Sequence, residues 1–221
     1  MSLERKERAV KSTRSYSSPL RAAQAQETRR RVMAAARELF LEQGYPATTV
    51  AAVARRADVS ADTIYSRFGT KVALLKEVLD LAVGGDDRDV PLLERSDPQA
   101  MRAEHDQRRQ LAMFAAGMTA QLERIRPLDD VLRSAAAVDP AAAELRDDLQ
   151  LRQRRAAMRT IVSWVAANGP LRELLTEDDA AAMVWTLTSP EVHGMLRDAS
   201  GWTRKRYEQW LRETLTSSLL P

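Results

Sequence analysis

Residues 48–71, with the sequence TTVAAVARRADVSADTIYSRFGTK, constrain the fold of this chain more than any other stretch. Thr49 and Ser60 each precede a short run of residues with apolar side chains at helical spacing. A hydroxyl at that position caps a helix. Asp58 lies in a tight turn between the two runs. The pattern therefore predicts a helix-turn-helix made of two short helices, Val50–Ala57 and Ala61–Phe68.

The two faces of the predicted motif differ in polarity. Apolar side chains turn inward and hold the helices together, whereas the second helix presents small and polar groups outward. A compact scaffold that displays such a face suits the major groove of DNA. The inward set is Val50, Val53, Ala54, Ala57, Val59, Ile64 and Phe68. The outward set is Ala61, Asp62, Thr63, Tyr65, Ser66 and Arg67.

This stretch resembles the DNA-binding domain of the TetR (tetracycline-repressor-like) family of bacterial transcriptional regulators. The resemblance covers residues 34–83 without gaps. The remaining chain is similar to the family only in its helical content and in a C-terminal pair of helices that carries tryptophan. The matching residues are Gly44-Tyr45, Thr48-Thr49-Val50, Val53-Ala54, Ala57, Val59-Ser60, Thr63-Ile64-Tyr65, Phe68, Thr70-Lys71 and Leu74-Leu75.

The resemblance implies which side chains meet DNA. Thr49 and Ser60 stand at helix starts, where hydroxyls and free backbone N–H groups suit phosphate oxygens. Tyr65 and Lys71 match phosphate-contacting positions of the family. The groove-facing residues are expected to be Ala61, Asp62, Thr63 and Ser66, and Arg67 completes the DNA-binding set. Structural roles also fit some of them: Asp62 at a helix N-terminus, Thr63 in packing and Tyr65 partly in the core.

The chain departs from the family pattern in and around the turn. Asp58 replaces the usual glycine, and aspartate tolerates the left-handed conformation better than most residues. Ala61-Asp62 and Ser66-Arg67 also differ from the residues common there. Arg55 and Arg56 offer compensating phosphate contacts, although a solvated helix face explains them equally well. These changes leave the predicted fold intact but leave the operator sequence open.

Charge is distributed unevenly along the chain. Residues 1–80 hold 15 Lys and Arg against nine Asp and Glu, although the whole chain has a net charge of only +3. The excess of basic residues accompanies the helix-turn-helix, as attraction to phosphate requires. Residues 1–20 are basic and Ser-rich and are predicted to form a flexible tail. The alternative is an arm that places Arg14 or Arg21 in the minor groove.

Apolar residues at helical spacing continue through the chain, and no segment alternates for long enough to form a strand. The predicted fold class is all-α, with about nine helices. Four regions are expected: a tail over 1–20, the DNA-binding domain over 21–68, a connecting helix and linker over 69–96, and a ligand-binding and dimerisation domain over 97–221. The predicted helices span 21–43, 50–57, 61–68, 71–83, 98–124, 128–138, 141–167, 176–199 and 204–219, with a break at Pro190.

The C-terminal domain is expected to have two roles. Members of the resembled family dimerise through the last two helices, although these side chains could instead fill the core of one protomer. The expected dimer residues are Trp185, Val192, Leu196, Tyr207, Trp210, Leu211 and Leu215. Methionine and aromatic residues are adaptable enough to line an effector pocket, although such residues also form plain core. The expected pocket residues are His105, Met113, Phe114, Met118, Met158, Trp164 and Met183.

Composition and spacing argue against several other classes. The chain has no cysteine, and His105 and His193 have no second ligand at i+3 or i+4, so neither a metal site nor a cofactor is expected. No phosphate-binding glycine loop or nucleophile elbow occurs. The absence of these motifs predicts that the protein is not an enzyme. The N-terminus lacks an export signal and no apolar run could span a bilayer. The family resemblance implies a bacterial cytoplasmic protein.

The sequence therefore predicts a homodimeric repressor that binds palindromic double-stranded operators and is released by a small apolar or amphipathic effector. One alternative is a DNA-binding architectural or activator protein that responds to no ligand. Another is a helical enzyme or carrier that keeps the helix-turn-helix only as structure. The target genes and the identity of the effector lie beyond the sequence.

Overall fold

Every regular element in the described part of the chain is helical. The computed structural model describes residues 18–88 and 90–221, and their side chains from residue 21 onward. The α-helices are α1 (Ser18–Ala47), α2 (Val50–Ala57), α3 (Ala61–Phe68), α4 (Lys71–Gly84), α5 (Ser96–Ala103), α6 (Gln107–Ala136), α7 (Pro140–Asp147), α8 (Arg154–Ala166), α9 (Glu177–Leu187), α10 (Pro190–Gly194) and α11 (Arg204–Leu219). The all-α prediction is confirmed.

The predicted tail falls mostly outside this range. Residues 1–17, Arg14 among them, lie outside the described residues, whereas α1 already begins at Ser18. Arg21 is exposed on the first turns of this helix. Of the described helices, none combines the length and the apolar character that crossing a membrane requires.

Gly44 ends the regular part of α1, as its position in the sequence predicts. Its φ of 76° and ψ of 175° interrupt the helix, and a left-handed φ costs glycine little because it has no Cβ. The buried Thr48 fixes the chain that follows. Its hydroxyl lies 2.7 Å from the Gly44 carbonyl oxygen and 3.1 Å from that of Leu39. This bend delivers the chain to Thr49 at the start of α2.

Helices α5 and α6 correct the prediction for residues 98–138. The break predicted near Pro127 does not occur, and α6 continues through this proline. The break lies instead before α6, where the Asp106 side chain accepts a hydrogen bond of 2.9 Å from the backbone N–H of Arg109 and caps the helix. Pro127 is exposed and is tolerated inside the helix. The long α6 therefore spans a region predicted as two helices.

The predicted helix over 141–167 is continuous in course but irregular in its middle. A π-helical turn, Asp148–Gln153, separates α7 from α8. The predicted break at Pro190 is confirmed, since the Ser189 hydroxyl accepts a hydrogen bond of 3.1 Å from the Val192 N–H and starts α10. A second π-helical turn, Met195–Ala199, follows α10 directly.

Two hydrophobic clusters form the core, and α6 contributes to both. The first holds α1 to α4 together and includes Leu128 and Leu132 from the C-terminal half of α6. The second lies among α6, α8, α9 and α11 and includes Leu111 and Phe114 from the N-terminal half of α6. The helix-turn-helix packs on α1 and α4, and these two helices in turn pack on α6, which also supports the C-terminal part of the chain.

Candidate nucleic-acid interface and effector cavity

Hydroxyl caps fix the start of each short helix in the helix-turn-helix. Thr49 Oγ1 accepts from the backbone N–H of Ala52 at 3.1 Å, and Ser60 Oγ accepts from that of Thr63 at the same distance. Between them, Asp58 adopts φ 54° and ψ 53°, the left-handed conformation expected for this turn. Both helices have the bounds that the sequence predicts.

The outer face of α3 offers three exposed side chains of different chemistry. Tyr65 is 54% exposed, and Asp62 and Arg67 are exposed beside it. The buried Ile64 anchors the opposite face in the first hydrophobic cluster. Ala61 is half-buried and packs against that cluster, so its methyl is less available than the sequence suggests. The face can supply a phenol, a carboxylate and a guanidinium to a ligand.

Two hydroxyls on this face already have partners within the helix. Thr63 Oγ1 lies 2.8 Å from Ser60 Oγ, and Ser66 Oγ donates to the Thr63 carbonyl oxygen at 3.1 Å. Both side chains remain exposed. Because a hydroxyl oxygen also has lone pairs, these groups can accept a further hydrogen bond while they keep the helix start in place.

Lys71 is held by Tyr45 rather than extended into solvent. Its Nζ donates to the Tyr45 carbonyl oxygen at 2.9 Å and lies 4.0 Å from the centroid of the Tyr45 ring. Partial burial lowers the pKa of the Lys71 ammonium, an effect that Asp139 opposes. Tyr45 in turn donates to Asp139, whose pKa this hydrogen bond holds below its usual range. Lys71 therefore belongs to a half-buried network that joins the start of α4 to the end of α1 and the start of α7.

The arginines near the helix-turn-helix fall into two groups. Arg56 on α2 lies 3.0 Å from Glu38 and 3.2 Å from Glu42, so carboxylates of α1 already neutralise its charge. Arg55 and Arg67 are exposed and form no ion pair with a described residue. The charge of Arg55 is therefore available to a phosphate, whereas that of Arg56 is already paired with the carboxylates of α1.

A cavity of about 770 Å³ lies beyond α4, between α6 and the helical segment from the π-helical turn through α8. This volume is within the range of small-molecule sites. Of the predicted pocket residues, Met113, Phe114, Met118 and Met158 line it. The structure corrects the prediction for the other three, since His105 is exposed beside Asn168 and neither Trp164 nor Met183 lies on the cavity wall.

The cavity also has a polar wall that the sequence prediction missed. Asp129, Gln150 and Arg154 line it, and burial raises the pKa of Asp129 while lowering that of Arg154 to about 10. The signal was present in the sequence, because Asp129 continues the apolar stripe of Leu122 and Ile125 at helical spacing. The break expected near Pro127 concealed this register.

Arginine side chains join the cavity wall to the C-terminal end of α4. Arg124 donates to the Ala82 carbonyl oxygen at 2.9 Å, and Arg95 donates to that of Gly84 at the same distance. Both arginines line the cavity. Cations favour the carbonyl end of a helix. The position of α4 is therefore tied to side chains that a cavity ligand would touch.

The predicted dimer residues divide into a buried and a partly exposed set. Tyr207, Leu211 and Leu215 are fully buried in the core of the single chain, which corrects their assignment to a contact surface. These three side chains instead fill the core of the protomer itself, which was the alternative expectation. The other four residues are partly exposed: Trp185, Val192, Leu196 and Trp210. Met195, 57% exposed, lies between two of them in the chain.

The two histidines differ in setting. His193 is buried, with its ring against that of Tyr207 and its Nε2 3.4 Å from Glu123 Oε1. Burial lowers the pKa of His193, whereas the nearby Glu123 raises it less strongly. Within the part of the chain that the structure covers, no three His, Cys, Asp or Glu side chains converge as metal ligands would.

Comparison with known sequences identifies the N-terminal region. Residues 32–78 match the family described as bacterial regulatory proteins, tetR family. One curated relative is an uncharacterised HTH-type transcriptional regulator, TtgW, of Pseudomonas putida. It is 43% identical over 58 residues, which are 26% of this chain and 43% of that protein. The chain thus spans less than half the length of the curated relatives it matches.

Solved structures share the fold along most of the chain. NalD, described as the secondary repressor of the MexAB-OprM multidrug efflux pump in Pseudomonas aeruginosa, has a TM-score of 0.67 at 21% identity. The match covers 89% of this chain and 98% of NalD. FadR from Bacillus subtilis, in complex with stearoyl-CoA, has a TM-score of 0.67 at 18% identity and covers 85% of this chain and 97% of that one.

Proposed function

We propose that this chain, whose residues 32–78 match the tetR family of bacterial regulatory proteins, acts as a transcriptional repressor of palindromic operators. The observation that carries this proposal is the outer face of α3, where Tyr65 and Arg67 stand exposed between capped helix ends. Arg67 is suited to guanine or phosphate, and Tyr65 to phosphate. Such a protein would act in the bacterial cytoplasm.

The active form is proposed to be a homodimer. One helix-turn-helix contacts few phosphates, whereas two recognition helices about one DNA turn apart match a palindrome. Partly exposed apolar side chains on α9 to α11, namely Trp185, Val192, Met195, Leu196 and Trp210, supply a face for a second copy. An isologous contact of this kind closes after two subunits.

An effector in the cavity is proposed to release DNA. Arg124 and Arg95 bind the carbonyl end of α4, and Lys71 at the other end of α4 binds Tyr45 below the helix-turn-helix. A ligand that changes the positions of these arginines would move α4 and change the spacing of the two recognition helices. Its differential affinity for the two arrangements would set the shift in population.

Selection of bound fragments from random duplex DNA tests the proposal directly. The expected product is a palindrome, and purified protein should prefer it over mixed sequence at every ionic strength. Arg67→Ala should weaken operator binding and reduce the salt slope by about one per lost phosphate contact, thus about two per dimer. Arg212→Ala is the matched control, because it removes an exposed arginine from α11 and leaves α3 untouched.

The outcomes separate this proposal from its rivals. Equal retention of selected and mixed duplexes would leave a helical protein that keeps the motif only as structure. An Arg67→Ala variant with unchanged operator affinity would remove α3 from the interface. A regulator that prefers a palindrome but keeps that affinity when its cavity is filled would be the architectural or activator protein.

A further inference from the structure

The cavity between α6 and α8 contains one buried carboxylate with few partners. Asp129 is 2% exposed and lies on the cavity wall. Its Oδ1 accepts a hydrogen bond of 3.1 Å from Gln150 Nε2. Among the described side chains no cation approaches either carboxylate oxygen within 4.0 Å. A buried carboxylate needs several hydrogen bonds or a counter-ion, so Asp129 has unused capacity toward a guest.

The buried cation on the same wall does not have this deficit. Arg154 donates to the Trp185 carbonyl oxygen and, at 3.0 Å, to Thr188 Oγ1. Its Nη1 lies 3.5 Å from Gln150 Oε1, and the guanidinium stacks 5.5 Å from the centroid of the Trp185 ring. Since the protein itself satisfies Arg154, this residue does not require an anionic guest.

The arginines near α4 are also occupied. Arg95 donates to the Gly84 carbonyl oxygen and lies 2.7 Å from Asp86. Arg124 donates to the carbonyl oxygens of Ala82 and Ala120 at 2.9 and 3.0 Å. The other carboxylates that line the cavity are partly or fully exposed to solvent. Asp129 is therefore the buried charge on this wall with the fewest partners among the described residues, and it favours a cationic head group.

The spacing of the cavity-lining residues along α6 indicates the shape of a ligand that would fit. Phe114, Met118, Leu122, Ile125 and Asp129 all line the cavity at intervals of three or four residues. With a rise of about 1.5 Å per residue, Phe114 and Asp129 are roughly 22 Å apart along the helix. The far end also carries Met101 and Met113. An elongated molecule with one polar end fits this gradient from apolar to acidic.

We propose that the effector is a cationic amphiphile whose protonated amine binds Asp129 and whose apolar tail extends toward Phe114 and Met118. The inference rests on the proposed function, because it assumes that this cavity is the effector site. Gln150, placed toward the cavity by the π-helical turn, would orient the carboxylate, and π-helical turns are frequent at functional sites. A bound ammonium would also offset the cost of burying the Asp129 charge.

Titration calorimetry with three probes of equal chain length tests the head-group preference. The probes are decylamine, 1-decanol and decanoate, each used as a monomer at pH 7 with full-length protein and no DNA. Decylamine should bind about tenfold or more tightly than 1-decanol, because a charge-assisted hydrogen bond exceeds a neutral one. Decanoate should bind more weakly than either. Equal affinities, or tightest binding of decanoate, would overturn the proposal without any variant.

The variant Asp129→Asn tests whether Asp129 is the residue that causes the preference for the amine. It should bind decylamine and 1-decanol with similar affinity, and 1-decanol binding reports that its cavity remains folded. Asp130→Asn is the matched control, because Asp130 is next in the chain, pairs with Arg126 and Arg133, and does not line the cavity. A variant Asp129→Asn that keeps the amine preference would refute the assignment.

The two proposals fail separately in these measurements. If the protein selects amines through Asp129 but prefers no operator, the ligand site is supported and the regulatory function is rejected. Operator preference without amine selectivity would retain the regulator and reject the cationic ligand. If decylamine releases the selected operator from wild type but not from Asp129→Asn, both proposals are supported together.

Discussion

The Tyr45 hydroxyl donates a hydrogen bond of 2.6 Å to Asp139 Oδ2 and thereby joins the end of α1 to the start of α7. Tyr45 is buried, and its ring and carbonyl also hold Lys71. Asp139 caps α7 through the backbone N–H of Ala141 at 3.0 Å. One side chain thus connects the base of the helix-turn-helix to the helix that leads into the cavity wall.

Tyr45→Phe should destabilise the protein by about 1–2 kcal/mol, because Asp139 loses a hydrogen bond to a charged group. For a chain of this size each kcal/mol corresponds to roughly 2–4 °C in melting temperature. Tyr207→Phe also removes a buried tyrosine hydroxyl, but this hydroxyl has no hydrogen-bond partner among the described residues. The change should therefore be neutral or stabilising. Thermal unfolding of both variants checks the contrast, and equal losses would contradict it.

Asp58→Gly should stabilise the protein by about 0.5 kcal/mol. The change relieves a left-handed backbone at a non-glycine residue, and the greater freedom of glycine in the unfolded chain offsets part of the gain. The carboxylate contributes little, since it is 99% exposed and 3.8 Å from Arg31. Denaturant unfolding measures the difference.

Asp58→Asn and Asp58→Val are the matched comparisons for this turn. Asparagine tolerates the left-handed region and removes only the charge, so stability should stay within about 0.5 kcal/mol of wild type. Valine is branched at Cβ and should lose about 1–2 kcal/mol. A valine variant as stable as the glycine variant would show that backbone strain does not govern this position.

His193 should make stability depend on pH in the weakly acidic range. Burial lowers its pKa in the folded state below the ordinary value of 6.5, so the unfolded chain binds the proton more readily. This contribution to stability is present above about pH 6.5 and is lost as pH falls toward the folded-state pKa. Arg197 also lowers the pKa of His193, whereas Glu123 and Asp198 raise it, and the effect of burial is the largest.

His193→Gln should flatten this part of the profile. Its stability between pH 7.5 and 5.5 should change less than that of wild type, by at most about 1.4 kcal/mol per pH unit for one proton. Denaturant midpoints at several pH values in one buffer series measure the slopes. Parallel profiles for the two proteins would exclude His193 as the titrating group.

Met195→Asp should dissociate the proposed homodimer. An unpaired carboxylate buried in an apolar contact costs far more than it does in water, so the dimer dissociation constant should rise at least about tenfold. Leu174→Asp is the control, because Leu174 is also highly exposed but lies in the loop before α9. Sedimentation equilibrium distinguishes them, and identical self-association would place the dimer contact elsewhere.

The sequence predicted α2, α3 and α11 to the residue because each has a Ser or Thr cap and a clear apolar stripe. It failed at Pro127, since a proline usually ends a helix but here occupies an exposed position that α6 tolerates. The π-helical turn at Asp148–Gln153 leaves no mark in spacing, because one extra residue per turn only shifts the apolar register.

The exposure of candidate site residues was predictable where local sequence decides it and not where tertiary packing decides it. The exposed face of α3 follows from eight residues in sequence. The contact between Tyr45 and Asp139 joins residues 94 positions apart. The acidic wall at Asp129 depends on how α6 packs against α8. Likewise, whether Tyr207 or Trp210 faces outward depends on which side of α11 meets α6, and periodicity alone does not fix that choice.

Because α6 packs against α1 and α4 as well as inside the C-terminal cluster, the first four helices depend on α6 to cover their apolar surface. A recombinant fragment that stops before Gln107 would leave the underside of those two helices uncovered and prone to aggregate. For the same reason, a chimera that receives the first four helices of a related protein must also receive the second half of its α6. Exchanging only the exposed side chains Asp62, Tyr65 and Arg67 of α3 avoids this requirement, since they lie outside both clusters.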